Sequence, residues 1–153
     1  VGSAAEMQSA VVPRAAGQDV VVMAAAVADF RPAQVADRKI KKADGLASIE
    51  LERTHDFLVD LGTSKPSGQV LVGFAAETDD VLDNAQAKLE AKNLDLIVAN
   101  DVAAEGVGFE HDTNSVVILG VGGVRHNVPL TDKRTVARAV FDAVVEHRAH
   151  EPR

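Results

Sequence analysis

Three short apolar runs punctuate the first two thirds of the chain: residues 19–26, centred on Val20, Val21 and Val22, residues 69–74, and residues 94–99. Each is too short for a typical helix and rich in β-branched or aliphatic residues, which predicts buried strands. Between the last two, Val81, Leu82, Ala85 and Leu89 recur at helical spacing, so residues 79–92 are expected to form an amphipathic helix. Acidic residues in its first turn suit the helix dipole, and Asn93 suits a left-handed C-cap. Ser3-Ala4-Ala5-Glu6 is a capping box. The helix it opens is expected to end near Val12, because Pro13 lacks the amide hydrogen that a helix interior uses. Residues 28–38 read as an irregular loop stiffened by Pro32. Residues 48–53 alternate polar and apolar, as a strand with one wet face does. Thr54 is expected to cap a short helix over residues 55–61, followed by a loop over 62–68. Residues 115–120 and 124–128 predict a hairpin around Gly122-Gly123. Thr131 is expected to cap a final helix reaching about His147, with residues 150–153 frayed.

Strands alternating with helices predict an α/β fold: a Rossmann-like three-layer parallel sheet flanked by helices, joined by right-handed crossovers, with an antiparallel arm or hairpin. At 153 residues the chain is expected to be a single domain, residues 1–153. Aromatics make up 3% with no Trp or Tyr, so Val, Ala, Leu and Ile must build the core, as suits a parallel sheet. The net charge of −7 argues against binding a nucleic-acid backbone. No uncharged apolar stretch is long enough to span a membrane, and cytoplasm is the expected compartment. Without Cys there is no disulfide framework, thiolate metal site or Cys nucleophile. The chain begins at Val1, as a fragment or processed product would.

Chemistry concentrates at the ends of the three buried strands, where open α/β sheets bind ligands. The first ends in Ala24-Ala25-Ala26-Val27-Ala28-Asp29. The second ends in Gly73-Phe74-Ala75-Ala76-Glu77-Thr78, and the third in Val98-Ala99-Asn100-Asp101. Small residues followed by an acid or amide occur at all three. Taken singly, each tract is better explained by close strand–helix packing; their agreement favours a nucleotide triphosphate site. Lys39-Ile40-Lys41-Lys42 supplies cations, although lysines there would equally protect an edge strand. Lys88 and Lys92 sit one turn apart and repel unless an anion lies between them, although a solvated face would also place them so. Asp29, Glu77, Asn100 and Asp101 could hold Mg²⁺ or sugar hydroxyls, with turn capping as the plainer use of Asn100 and Asp101. There is no phosphate-loop signature, and Gly120-Val121-Gly122-Gly123 precedes a strand, so it reads as a turn. The histidines lack metal spacing, and no Ser has a nucleophile-elbow context.

Four motifs together resemble a known family. They are Ala25-Ala26-Val27-Ala28-Asp29-Phe30-Arg31, Lys39-Ile40-Lys41-Lys42, Gly73-Phe74-Ala75-Ala76-Glu77-Thr78, and Lys88 with Lys92 before residues 93–101. In this order and spacing they resemble bacterial phosphopantothenate–cysteine ligase, the synthetase domain of the bifunctional coenzyme A biosynthesis flavoprotein. The resemblance spans nearly all of residues 3–148. It implies a homodimer that uses CTP and Mg²⁺ to activate 4′-phosphopantothenate as an acyl-cytidylate and then joins it to cysteine. By position it implies that Ala25 and Ala26 offer backbone groups to the cytosine and that Asp29 contacts the nucleotide through ribose or metal. Lys39 matches the lysine used in the second half-reaction, and Phe74, Lys88 and Lys92 complete the pocket. His55-Asp56-Phe57-Leu58 matches another nucleotide-contacting turn more loosely, because Thr54-His55 stand where the family often has Asn-Pro. A phosphopantothenoylcysteine decarboxylase, with FMN, is implied only if such a domain is fused or associated.

One departure stands out. The family begins with a strand, a Gly-rich turn and an Asn-containing stretch ending in Ser-Ser-Gly, and none of these precedes Val1. The resemblance therefore implies a core without its N-terminal lobe, expected to bind CTP weakly or not at all and not to complete ligation alone. Residues 39–45 are expected to form a flap over the phosphates, and residues 48–53 an arm toward a second subunit. An ATP-using relative and a non-catalytic nucleotide-binding or dimerising module stay open; a nicotinamide-dependent reductase is weakened by the missing glycine fingerprint.

Overall fold

A computed structural model describes residues 1–39, 48–103, 107, 111–123 and 125–150. Helix α1 (Ala4–Ala15) opens on Ser3, whose hydroxyl accepts from the Glu6 amide at 3.2 Å, while the Glu6 carboxylate accepts from the Gly2 amide at 2.6 Å. It runs past Val12, with Pro13 inside the helix. The ring removes one amide bond, but burial of Ala15 in the core holds the last turn in place.

β1 (Val20–Met23) is shorter than its apolar run, and residues 24–26 leave the sheet. β2 (Phe30–Pro32) falls inside the expected loop. It pairs antiparallel with β3 (Leu51–Arg53) in a separate two-stranded ribbon whose residues are all exposed. Then come α2 (Phe57–Thr63), β4 (Val70–Glu77), α3 (Val81–Ala91), β5 (Leu96–Asp101), the hairpin strands β6 (Thr113–Gly120) and β7 (Arg125–Asp132), and α4 (Lys133–His150). The main sheet has the order β1-β4-β5-β6-β7: the first three are parallel, and β6 and β7 run antiparallel. Gly122 and Gly123 both take φ above +80°, the conformation that lets the hairpin close tightly. Asn93, at φ 50°, ends α3 in the expected left-handed turn.

Two expected caps are corrected. Thr131 is a β7 residue; Asp132 caps α4, accepting from the Thr135 amide at 3.0 Å and its hydroxyl at 2.6 Å. The final helix also reaches His150 rather than His147. Thr54 does not cap α2, whose N-cap is Asp56. Instead its amide donates to the Asp29 carbonyl at 2.9 Å and its hydroxyl to the Ala28 carbonyl, tying the ribbon to the sheet rim.

β4 is buried on both faces, as a central parallel strand should be. Leu71 and Ala75 face α1, α2 and α3, in one cluster with Ile97 and Leu89; Val70 and Val72 face α4, in another with Val98, Val136 and Val140. Asp95, 6% exposed, is the acid inside this core. One carboxylate oxygen accepts from the Leu71 amide at 2.6 Å and the other meets Lys65 Nζ at 2.6 Å. Among the described residues no helix is long and apolar enough to cross a membrane.

Candidate functional site

The register brings the three strand ends together. Met23 lies beside Gly73, Ala75 beside Ala99, Ala76 beside Asn100 and Glu77 beside Asp101. Because β1 stops early, residues 24–28 turn across the rim, where the Val27 amide donates to the Ala25 carbonyl at 3.1 Å. A cavity of about 280 Å³ opens there. Its walls include Ala25, Ala26, Asp29, His55, Asp56, Phe57, Leu58, Phe74, Lys88 and Lys92, every residue that the resemblance implied as nucleotide-contacting except Lys39. Alanines at the rim leave backbone groups uncovered, which a bulkier side chain would screen.

The contributions are unequal. Phe57 is 2% exposed and Leu58 half-buried, so both wall the cavity from the core. Asp56 meets Lys92 Nζ at 2.7 Å, and Glu77 meets Lys88 Nζ at 2.5 Å. His55 meets Asp60 at 2.6 Å. Asp29 is exposed, and its carboxylate has no hydrogen-bond partner among the described residues. The two lysines are therefore already matched by carboxylates, with Asp29 to spare. A polyanion entering here needs further positive charge, or must draw the lysines from their partners.

Three of the four residues expected as metal or sugar ligands, Asp29, Glu77 and Asn100, do not converge. Glu77 is held by Lys88 and, at 3.4 Å, by Asn84; Asn100 lines a different cavity from Asp29; Asp101 is placed by its backbone opposite Glu77. Among the described residues no three His, Cys, Asp or Glu side chains group to hold a metal. Lys39 is exposed and does not line the cavity. Lys41, Lys42 and, of the flap expected over residues 39–45, residues 40–45 lie outside the described residues.

A second cavity, of about 420 Å³, lies on the α4 side of the same rim. It shares Ala25, Ala26, Phe74, Ala75 and Ala76 with the first and adds Asn100, Asn114, Lys133 and the apolar face of α4. The sequence reading missed its α4 and β6 residues. Their only signal was that Lys133 opens a helix following the hairpin. A wider groove of about 750 Å³ runs from α1's first turn to the ribbon, but its Arg31 is tied to Glu52 at 2.6 Å.

The sequence profile of the DNA/pantothenate metabolism flavoprotein C-terminal domain matches residues 1–147. The chain belongs to this family. Among similar curated proteins is the coenzyme A biosynthesis bifunctional protein CoaBC of Bacillus subtilis, 49% identical over 144 residues, covering 94% of this chain and 35% of the relative. A cysteine/cysteine sulfinic acid decarboxylase from an unknown prokaryotic organism is 42% identical over 145 residues, covering 95% of this chain and 40% of that protein. The chain thus spans between a third and a half of these relatives. Among solved structures, the C-terminal domain of a CoaBC protein superposes with a TM-score of 0.74 at 39% identity, covering 94% of this chain and 62% of that one.

Proposed function

We propose that this domain belongs to a coenzyme A biosynthesis enzyme and serves CTP-dependent ligation of 4′-phosphopantothenate to cysteine. The observation that carries this reading is the 280 Å³ cavity: residues from four separate segments, singled out as nucleotide-contacting, line one space at the strand ends. Similarity to CoaBC proteins supports the pathway.

The substrate carboxylate attacks the α-phosphorus of CTP, forming a P–O bond as the bond to pyrophosphate breaks. The cysteine amine then attacks the acyl carbon, CMP departs, and the amine loses a proton. No protein nucleophile is required, which suits a chain without Cys. Ala25 and Ala26 would present backbone groups to the cytosine edge, with Phe74 beside them. Lys88 and Lys92 would leave Glu77 and Asp56 to meet the phosphates, stabilising negative charge as it builds on the leaving group. Mg²⁺ fits as a partner of the nucleotide rather than of a protein cage. The Asp29 carboxylate, without a hydrogen-bond partner among the described residues, would hold it, and when bound it would neutralise phosphate charge. Lys39 is assigned to the second half-reaction, and the working enzyme is a homodimer, fused to or associated with a decarboxylase.

The test is turnover by the polypeptide encoded by the complete reading frame. It should release pyrophosphate from CTP only when 4′-phosphopantothenate is present, and ATP should substitute poorly. Lys39→Gln should accumulate acyl-cytidylate and make little ligated product. Equal turnover with ATP would favour the ATP-using alternative. Tight CTP binding without pyrophosphate release would favour a non-catalytic nucleotide-binding module.

A further inference from the structure

We infer that Glu77 and Asp56 form a release device: they are positioning residues that take Lys88 and Lys92 back from pyrophosphate and so let it leave. This deepens, and rests on, the nucleotide reading of the 280 Å³ cavity.

The two ion pairs are built for exchange. Lys88, Lys92 and Asp56 line the cavity, whereas Glu77, at the end of β4, lies outside its lining and holds Lys88 at 2.5 Å. Each pair has one shielded member: the Glu77 side chain is 13% exposed and that of Lys92 is 25% exposed. Bulk salt therefore screens neither pair fully. Each acid also has a place to turn when its lysine is drawn away. The second Glu77 oxygen lies 3.4 Å from the Asn84 side-chain amide, which also donates to the Asp79 carbonyl at 2.9 Å. Asp56 stands at the N-cap of α2, yet its side chain makes no cap hydrogen bond. Freed from Lys92, its carboxylate can accept from the first amides of that helix.

Competition for the lysines follows from charge. Two lysines stand among three carboxylates: Glu77, Asp56 and the exposed Asp29. A ligand gains at the lysines only what exceeds the carboxylate pairs it breaks. Residues one turn apart on a helix have Cβ atoms about 5–6 Å apart, so one pyrophosphate can engage both lysines. Without the acids, the lysines would hold substrate and leaving group alike more tightly, and binding shared equally by reactant and product does not speed turnover. With the acids, each lysine that lets go of pyrophosphate regains a partner.

Calorimetry on the polypeptide encoded by the complete reading frame, with Mg²⁺ present, tests this through Glu77→Gln and Asp56→Asn. Both substitutions remove charge and keep shape, and Asn still suits an N-cap. Pyrophosphate and CTP should each bind about three-fold tighter to either single variant and about ten-fold tighter to the double variant. CMP, which lacks the β- and γ-phosphates, should bind the variants and the parent alike. Pyrophosphate should inhibit turnover by the double variant about ten-fold more strongly than it inhibits the parent. Glu77→Asp, which keeps the charge, should stay close to the parent. A damaged fold weakens binding, so tightening separates a release role from a structural one. The inference is overturned if the double variant binds pyrophosphate no more tightly than the parent. A parent that binds CTP while its variants match it sinks this inference alone. A parent that binds neither CTP nor pyrophosphate sinks the nucleotide reading as well.

Discussion

Lys88 and Lys92 stand one turn apart on α3, each held by a carboxylate from another element, Glu77 or Asp56. Like charges at that spacing repel by a few tenths of a kcal/mol, and their acid partners remove the cost in the absence of ligand. Lys88→Ala or Lys92→Ala should each weaken CTP about ten-fold in a binding titration, because each deletes one charge-assisted contact to phosphate. The Lys65–Asp95 pair makes a different case. Its side chains are only 16% and 9% exposed, and Asp95 also anchors the Leu71 amide. Lys65→Met should cost about 3 kcal/mol in denaturant unfolding, since it leaves a buried carboxylate poorly compensated. The residue types lining the 280 Å³ cavity were readable from sequence. Their pairing was not: nothing in the spacing of Asp56 and Lys92 says that they meet.

Helix ends are where sequence and structure part most. Cap-forming side chains occur in runs, Thr131-Asp132 and Thr54-His55-Asp56, and tertiary demands decide which one caps. Thr131 and Asp132 both close the β7 ladder, opposite Asn114 and Thr113, and Asp132, the residue directly before Lys133, is the one whose carboxylate reaches Thr135 and caps α4. Hydrogen bonds from Thr135, its hydroxyl first and then its amide, hold the Asp132 carboxyl below its ordinary value of 3.8. A lowered folded-state value means that this stabilisation is present above pH 3.8 and lost as pH falls through the folded-state value. Asp132→Ala should therefore lower the melting temperature at pH 7, and the gap to the parent should shrink below pH 3.8. Asp132→Asn should keep most of the cap without that pH dependence. Parallel melting curves down to pH 2.5 would contradict the assignment. Between α2 and α3, a Cβ on Gly62 would lie 1.9 Å from the Lys92 carbonyl oxygen, so backbone must move. Gly62→Ala should cost about 2 kcal/mol in thermal or denaturant unfolding, and should also weaken CTP by shifting Lys92.

At the scale of the whole molecule, the apolar runs and the glycine pair identified the parallel strands and the hairpin, because a buried strand and a tight turn each restrict residue type strongly. The ribbon of β2 and β3 was half legible. Alternation marked one strand, but Phe30-Arg31-Pro32 carries no such signal; its pairing with β3 is flanked by the Thr54–Asp29 and Ala33–Glu50 backbone bonds, which sequence spacing does not reveal. The second cavity was illegible because it joins β1, β4, β5, β6 and α4, and only topology places them side by side. The proposed nucleotide site is the rim between β1, β4 and α3. Pyrophosphate release from CTP by the polypeptide of the complete reading frame, compared with its Lys88→Ala,Lys92→Ala double variant, tests it most directly. Release should depend on 4′-phosphopantothenate in the parent and fall about a hundred-fold in the variant at subsaturating CTP, the two contacts acting together. Undiminished release by the variant would contradict it.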